Sequence, residues 1–241
     1  MSKEIYLLLD VSTVLPPLIF SFHPRIRFYR YWRIYLPALV MSAVIFLLWD
    51  MYFTRQGVWG FNPKYVTGLY IGNLPVEEWL FFICIPYACI FTAFCRRLSG
   101  GRSPGRRTGQ LVTIVLILLL LGLAGLNMYR RYTSVTFASL SLLLAYASFV
   151  KKYSWLPRFY VSWLLLIIPL LIVDGLLTGT GLQEPVVWYS QHENLGCRIL
   201  TIPVEDFFYG MELVLLNLVL YHELLRGYLG KLSPPHPAEL V

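Results

Sequence analysis

This sequence predicts an all-α, polytopic membrane fold of seven transmembrane helices, on three observations: its composition, its apolar runs of bilayer length, and the uneven placement of its basic residues. Hydrophobic residues make up 57% of the chain and charged residues only 14%, against about 45–50% and about 25% in soluble domains. Such a chain has too little charged surface to face water all round, and lipid is its natural solvent. In a membrane chain the net charge of +7 reflects basic cytoplasmic loops, and no nucleic-acid partner is expected.

A helix that crosses a bilayer needs about 20 mostly apolar residues. Runs that reach or approach this cover 5–22, 34–51, 79–94, 111–128, 136–150, 159–177 and 207–225. The fifth is short and rich in Ser, and the seventh carries Glu212 and Asn217. The first is expected to be a retained helix and not a cleaved signal, because Asp10 and Pro16-Pro17 interrupt its apolar core and no small-x-small site follows.

The loops orient the spans. One set holds Arg25, Arg27, Arg30 and Arg33, then Arg96, Arg97, Arg102, Arg106 and Arg107, then Lys151, Lys152 and Arg158, then Arg226 and Lys231. The other set holds only Lys3, Arg55, Lys64, Arg130, Arg131 and Arg198. All dense basic clusters therefore fall on one side, which predicts an integral protein of the cell membrane with its N-terminus outside and its C-terminus in the cytoplasm.

The chain also repeats itself. "NLPVEEWLFF" at 73–82 returns as "TIPVEDFFYG" at 201–210. At an offset of 124, Asp50 matches Asp174, Thr54 matches Thr178, Gly57 matches Gly181 and Tyr65 matches Tyr189; a four-residue insertion is then expected. At an offset of 128, Gly68 matches Gly196, Ile71 matches Ile199, Pro75 matches Pro203, Glu77 matches Glu205, and Glu78 aligns with Asp206. Self-similarity of this length reads as duplicated architecture. The expected division is a first repeat at 1–98, a linker with the fourth span at 99–131, a second repeat at 132–228 and a tail at 229–241. Because one span joins the copies, both face the same way, a 3+1+3 parallel plan of a kind found in transporters.

The acid pairs are the candidate site. Proline in a first turn followed by acids is an ordinary helix start, where carboxylates complement the positive helix end. The duplication, the upstream Asp50 and Asp174, and the cost of acids beside lipid point further, to a cavity or a partner. Close carboxyls do not both ionise easily, so one keeps its proton as a general acid while another serves as base. Glu77, Glu78, Glu205 and Asp206 are thus the candidate catalytic residues, with Asp50 and Asp174 in support. Around the first pair stand Trp49, Trp59, Phe61, Asn62, Tyr65, Trp79, Phe81 and Phe82; around the second stand Trp188, Tyr189, Phe207, Phe208 and Tyr209. Aromatic faces stabilise a cation by about 0.5–2 kcal/mol each, and the same residues suit an interfacial belt. Glu205, Tyr209 and Glu212 recur at helical spacing on one face. Asn217 is expected to bond a neighbouring helix. Asp10, an acid inside the first span, reads either as functional or as packed against a polar neighbour.

Several chemistries are not indicated. No Lys falls inside a span, which argues against a retinal Schiff base, and no dinucleotide fingerprint follows a strand. His23, His192, His222 and His236 are dispersed, so no metal or cofactor site is expected. Cys84, Cys89, Cys95 and Cys197 fit neither a disulfide framework nor a zinc pattern and read as packing residues.

The stretch "LLWDMYFTRQGVWGFNPKYVTGLYIGNLPVEEWLFFICIPYA" at 47–88 strongly resembles the membrane lycopene cyclases of the non-flavin type, and "PVEDFFYGMELVLLNLVLYHELLR" at 203–226 is similar to that family's second repeat. The resemblance runs over nearly the whole chain. It implies an isomerase, an intramolecular lyase that cyclises the linear ψ-ends of lycopene to β-ionone rings with no net redox and no consumed cofactor. It implies lycopene or a related linear carotenoid as substrate, entry from the bilayer, and other carotenoid-pathway enzymes as possible partners. Relatives form ε- or γ-rings or hydrate the ends, and no phytoene synthase portion is expected after the seventh span. The competing readings are a 3+1+3 solute transporter, which needs a polar central pore, and a scaffold for carotenoid enzymes.

Overall fold

The computed structural model describes residues 3–100 and 103–229; Arg102, Lys231, His236 and the expected tail beyond Leu229 lie outside the described residues. Most of the chain is helical. The helices are α1 (Ile5–Phe20), α2 (Trp32–Arg55), α3 (Val76–Leu98), α4 (Arg106–Leu126), α5 (Arg131–Ala145), α6 (Leu156–Leu177) and α7 (Val204–Leu229). A 3₁₀ turn at Phe28–Tyr31 leads into α2, and a π-helical turn at Tyr146–Val150 prolongs α5.

Six of these helices are long and apolar enough to cross a membrane, whereas Ile5–Phe20 is apolar but shorter. Its 16 residues span roughly 24 Å at 1.5 Å per residue, short of a hydrocarbon core of about 30 Å. Leucines on α4 such as Leu118 and Leu126 lie exposed along its flank, as a lipid-facing surface requires. Inside, α1 packs on α3, α5 on α7, α2 on α7, and α4 on α5.

The predominance of helix agrees with the expected all-α class, and the loops add a detail to it. Between α2 and α3, and again between α6 and α7, the loops contain short strands: β1 (Trp59–Phe61), β2 (Tyr70–Ile71), β3 (Leu74–Pro75), β4 (Val187–Tyr189), β5 (Arg198–Ile199) and β6 (Ile202–Pro203). Buried loop backbone must find partners, and here it finds them in antiparallel pairs, β2 with β3, β5 with β6, and β1 with β4.

The β1–β4 pair joins the two halves reciprocally. Trp59 faces Tyr189, Gly60 faces Trp188 and Phe61 faces Val187. The Asn62 N–H donates to the Val186 carbonyl at 2.8 Å, and the Ser190 N–H to the Val58 carbonyl at 2.8 Å. Exchange of partners of this kind is the signature of a two-fold relation. Gly60 lies where a Cβ would run into the Trp188 indole, so only glycine lets the strands meet there.

This register also corrects the internal alignment. The Val58 N–H bonds the Phe53 carbonyl and the Val186 N–H bonds the Leu177 carbonyl, so the four extra residues are 182–185, ahead of the strand. Tyr189 therefore answers to Phe61, and Glu193 answers to Tyr65. The Tyr6 N–H accordingly donates to the Tyr65 carbonyl, and the Tyr132 N–H to the Glu193 carbonyl.

Candidate functional site

Each P-V-E-[ED] motif turns a hairpin directly into a helix. Pro75 is the N-cap of α3 and makes no side-chain cap. The following acids do not cap their own helix either; they reach other elements, and each pair divides between two environments.

The first acid of each pair holds a loop. Glu77 Oε1 accepts the Thr67 N–H at 2.7 Å, and Glu205 Oε1 accepts the Leu195 N–H at 2.7 Å and the Thr133 hydroxyl at 2.5 Å. Both residues are fully buried. The second acid of each pair faces inward and takes a tyrosine. Glu78 Oε2 accepts the Tyr6 hydroxyl at 2.5 Å, and Asp206 Oδ1 accepts the Tyr132 hydroxyl. Tyr6 and Tyr132 open the first helix of each half. Neither tyrosine is among the candidates named from the sequence, although they sit at equivalent positions in α1 and α5.

Asp50 and Asp174 lie against these inner acids, Asp50 beside Glu78 and Asp174 beside Asp206. Their surroundings differ. Asp50 Oδ1 accepts the Trp59 indole N–H and the Thr54 hydroxyl. Asp174 has no such cover: Val187 stands where Trp59 stands in the first half, and Thr178 donates to the Asp174 backbone carbonyl instead.

A cavity of about 340 Å³ opens between α1 and α3 on one side and α6 and α7 on the other. Its polar end is formed by Glu78, Asp174, Asp206, Tyr6, Tyr132 and Tyr209. The rest of its wall is largely apolar, with Phe81, Ile85, Leu166 and Leu213 among the side chains. The Tyr209 hydroxyl is buried without a hydrogen-bond partner among the described residues, and its ring stands 6.1 Å from that of Trp59 and 6.1 Å from that of Tyr132.

There is a sequence reason for the one-sided position of this cavity. In the first half Phe46, Trp49 and Phe82 gather round the Tyr209 ring, with centroids 5.0, 5.2 and 6.5 Å from it. The equivalent positions in the second half are Leu170, Val173 and Gly210, and all three line the cavity. Three aromatic rings fill one flank; three smaller residues leave the other open.

The remaining candidates lie away from the cavity wall. Asn62 donates to Glu184 Oε2 at 2.8 Å in the outer loop, where Lys64 and Glu184 form an ion pair at 2.7 Å. Hydrogen bonding within that pair raises the Lys64 ammonium and lowers the Glu184 carboxyl. Tyr65 is buried beneath the β1 loop, and Trp79 donates to the Ile71 carbonyl at 3.3 Å. Glu212 accepts the Ser139 hydroxyl at 2.9 Å, so Glu205, Tyr209 and Glu212 go to three different environments and form no joint constellation. Asn217 does bond a neighbouring helix, donating to Ser42 at 2.9 Å. Both carboxylate oxygens of Asp10 are buried without hydrogen-bond partners among the described residues.

Fold and site together describe a helical membrane protein with carboxyls gathered at the polar end of an apolar cavity. The sequence profile of the lycopene cyclase family matches residues 3–95 and 129–224, and the chain belongs to that family. Similar curated proteins are the bifunctional lycopene cyclase/phytoene synthase of Aspergillus niger, 33% identical over 130 residues, covering 50% of this chain and 22% of that one, and the protein of the same description from Podospora anserina, 28% identical over 161 residues, covering 59% and 27%. The chain thus matches about a quarter of the length of these relatives. No solved structure matches it.

Proposed function

We propose that this protein is a lycopene cyclase, an isomerase of the intramolecular-lyase type that closes the linear ψ-ends of lycopene or a related carotenoid into β-ionone rings. The observation that carries the reading is the convergence of Glu78 and Asp206, one from each half, on one apolar cavity. An acid there protonates the terminal double bond. The tertiary cation is attacked by the next double bond, which closes a six-membered ring, and a base removes a ring proton to form the new double bond. Atoms and electrons balance without an oxidant or reductant. Tyr6 and Tyr132 hold the two carboxyls in place, Asp50 and Asp174 share their protons, and the faces of Trp59, Tyr132 and Tyr209 favour the cation. Glu77 and Glu205 act by fixing the loops that roof the site. An end group enters from the bilayer along the apolar wall, one end at a time, because only one flank is open.

The topology that goes with this is two parallel three-helix repeats, α1–α3 and α5–α7, joined by α4, with α1 completing seven spans. The divisions are 1–98, 99–131, 132–228 and the tail 229–241. The acids then lie towards the outer face of the cell membrane, with the N-terminus outside and the basic loops and C-terminus in the cytoplasm. The apolar cavity wall disfavours a solute transporter. Expression in cells that accumulate lycopene tests the reading: chromatography should show cyclic carotenes, and unchanged lycopene alongside correctly inserted protein would refute it.

A further inference from the structure

Each half of the site sets an inner carboxyl beside an upstream one, Glu78 beside Asp50 and Asp206 beside Asp174. Two carboxyls this close do not both ionise easily, so each pair holds a proton. The donors around a pair decide which member holds it. An N–H or O–H aimed at one carboxyl stabilises the charge there, and the proton goes to the other. The two halves aim their donors at opposite members.

In the first half the donors converge on the upstream acid. Asp50 Oδ1 accepts the Trp59 indole N–H and, at 3.1 Å, the Thr54 hydroxyl. Glu78 accepts only the Tyr6 hydroxyl among the described residues. In the second half the donors converge on the inner acid. Asp206 accepts the Tyr132 hydroxyl, and the Tyr189 hydroxyl lies within reach of the same carboxyl. No indole or hydroxyl donates to the Asp174 carboxyl among the described residues; Thr178 turns to its backbone carbonyl at 2.8 Å. Two exchanges account for the reversal: Val187 for Trp59, and Tyr189 for Phe61. The two donors gained and lost, Trp59 and Tyr189, face each other in the β1–β4 register.

The surrounding charges differ in the same sense. Asp10, a further buried acid, lies near Glu78, and the position answering to it in α5 is Thr136. Arg198 acts on Asp174 and stands over the Tyr189 ring, 5.9 Å from its centroid, where the first half has Tyr70. Surplus acid crowds one pair, and a cation attends the other.

We propose that the two pairs have opposite polarity: Glu78 is the acid that delivers the proton, Asp206 is the carboxylate that removes one, and Trp59 and Tyr189 are the positioning residues that set this order. The inference rests on the cyclase reading and deepens it. The Glu78 O–H bond breaks as a C–H bond forms at the terminal double bond. After ring closure a ring C–H bond breaks, its electron pair becomes the new double bond, and Asp206 takes the proton. Exchange with solvent resets both acids, and nothing is oxidised or reduced.

The test uses the purified full-length chain in liposomes made in heavy water, with lycopene as substrate. Asp206→Asn should still form the cation. With no base to discharge it, the cation reverts or loses a different proton, so recovered lycopene and minor ring isomers carry deuterium. Glu78→Gln should leave all recovered carotenoid unlabelled. Trp59→Phe keeps a ring and removes the N–H; turnover should fall about tenfold, a middling coupling between neighbouring groups, with the ring type unchanged. Tyr189→Phe should instead change the ratio of ring isomers, because the cation outlives its base. Loss of turnover in both with the wild-type isomer ratio, or no change in either, would reduce Trp59 and Tyr189 to packing residues and overturn their role. Label in Glu78→Gln but not in Asp206→Asn, or equal label in both, would overturn the assignment while wild type still cyclises. No cyclic carotene from wild type would instead overturn the cyclase reading itself.

Discussion

The Tyr6 hydroxyl donates to Glu78 Oε2 at 2.5 Å, and the same bond recurs between Tyr132 and Asp206. A carboxyl that must give or take a proton at a fixed carbon has to be held in one place, and each inner acid has one such holder. Tyr6→Phe and Tyr132→Phe keep the ring and remove the donor. The loss of a buried hydrogen bond of this kind is about 1–3 kcal/mol. Turnover should fall about tenfold or more with little change in KM. Unchanged turnover in both folded variants would remove the tyrosines from the site.

The two acids of each motif should separate by phenotype. Glu78→Gln and Asp206→Asn should each lose about 10²–10⁴ in rate, the usual cost of removing a general acid or base. Glu77→Gln and Glu205→Gln retain an acceptor for the Thr67 and Leu195 N–H groups, and should turn over near wild type while losing about 1 kcal/mol of stability. Rate and melting temperature measured on all four variants decide it. Full activity in Glu78→Gln would assign the motifs to helix starts alone.

Much of this was legible in the sequence. The duplicated motif, the acids and the basic-loop asymmetry stand in the letters, because a two-fold repeat and a lipid environment both leave local marks. The division of labour within each pair was not legible. Glu77 and Glu78 are adjacent, and only the fold sends one to a loop amide ten residues back and the other to α1. The strands also escaped, because two- and three-residue segments leave no periodicity. The misplaced insertion followed from matching Tyr65 with Tyr189 by residue type, where the β1–β4 register pairs by backbone. Tyr6 and Tyr132 carried a faint signal, a matched position in two otherwise dissimilar helices.

The open flank should be controlled by residue size at position 210. Gly210 stands where Phe82 stands in the first half, and a Cβ there would already lie 3.1 Å from the Trp163 ring. Gly210→Phe should fill the cavity and abolish turnover while the protein still inserts. Gly227→Ala, on the same helix with open space around it, should leave turnover unchanged. Activity measured with lycopene in liposomes compares the two; an active Gly210→Phe variant would place the substrate elsewhere.

Orientation can be read with the native thiols. Cys197 is exposed in the β5 loop, Cys84 is buried, and Cys89 and Cys95 are partly covered within α3. A membrane-impermeant maleimide should label intact cells at Cys197, and Cys197→Ser should abolish that signal. Labelling only after lysis would invert the topology.

Protonation at carbon leaves a trace in the product. Purified protein in liposomes prepared in heavy water should convert lycopene to a carotene carrying one solvent deuteron for each ring closed, read by mass spectrometry, and the Glu78→Gln/Asp206→Asn variant should give none. Cyclic product formed without deuterium, or formed with deuterium at the wild-type rate by that double variant, would contradict acid–base cyclisation by Glu78 and Asp206.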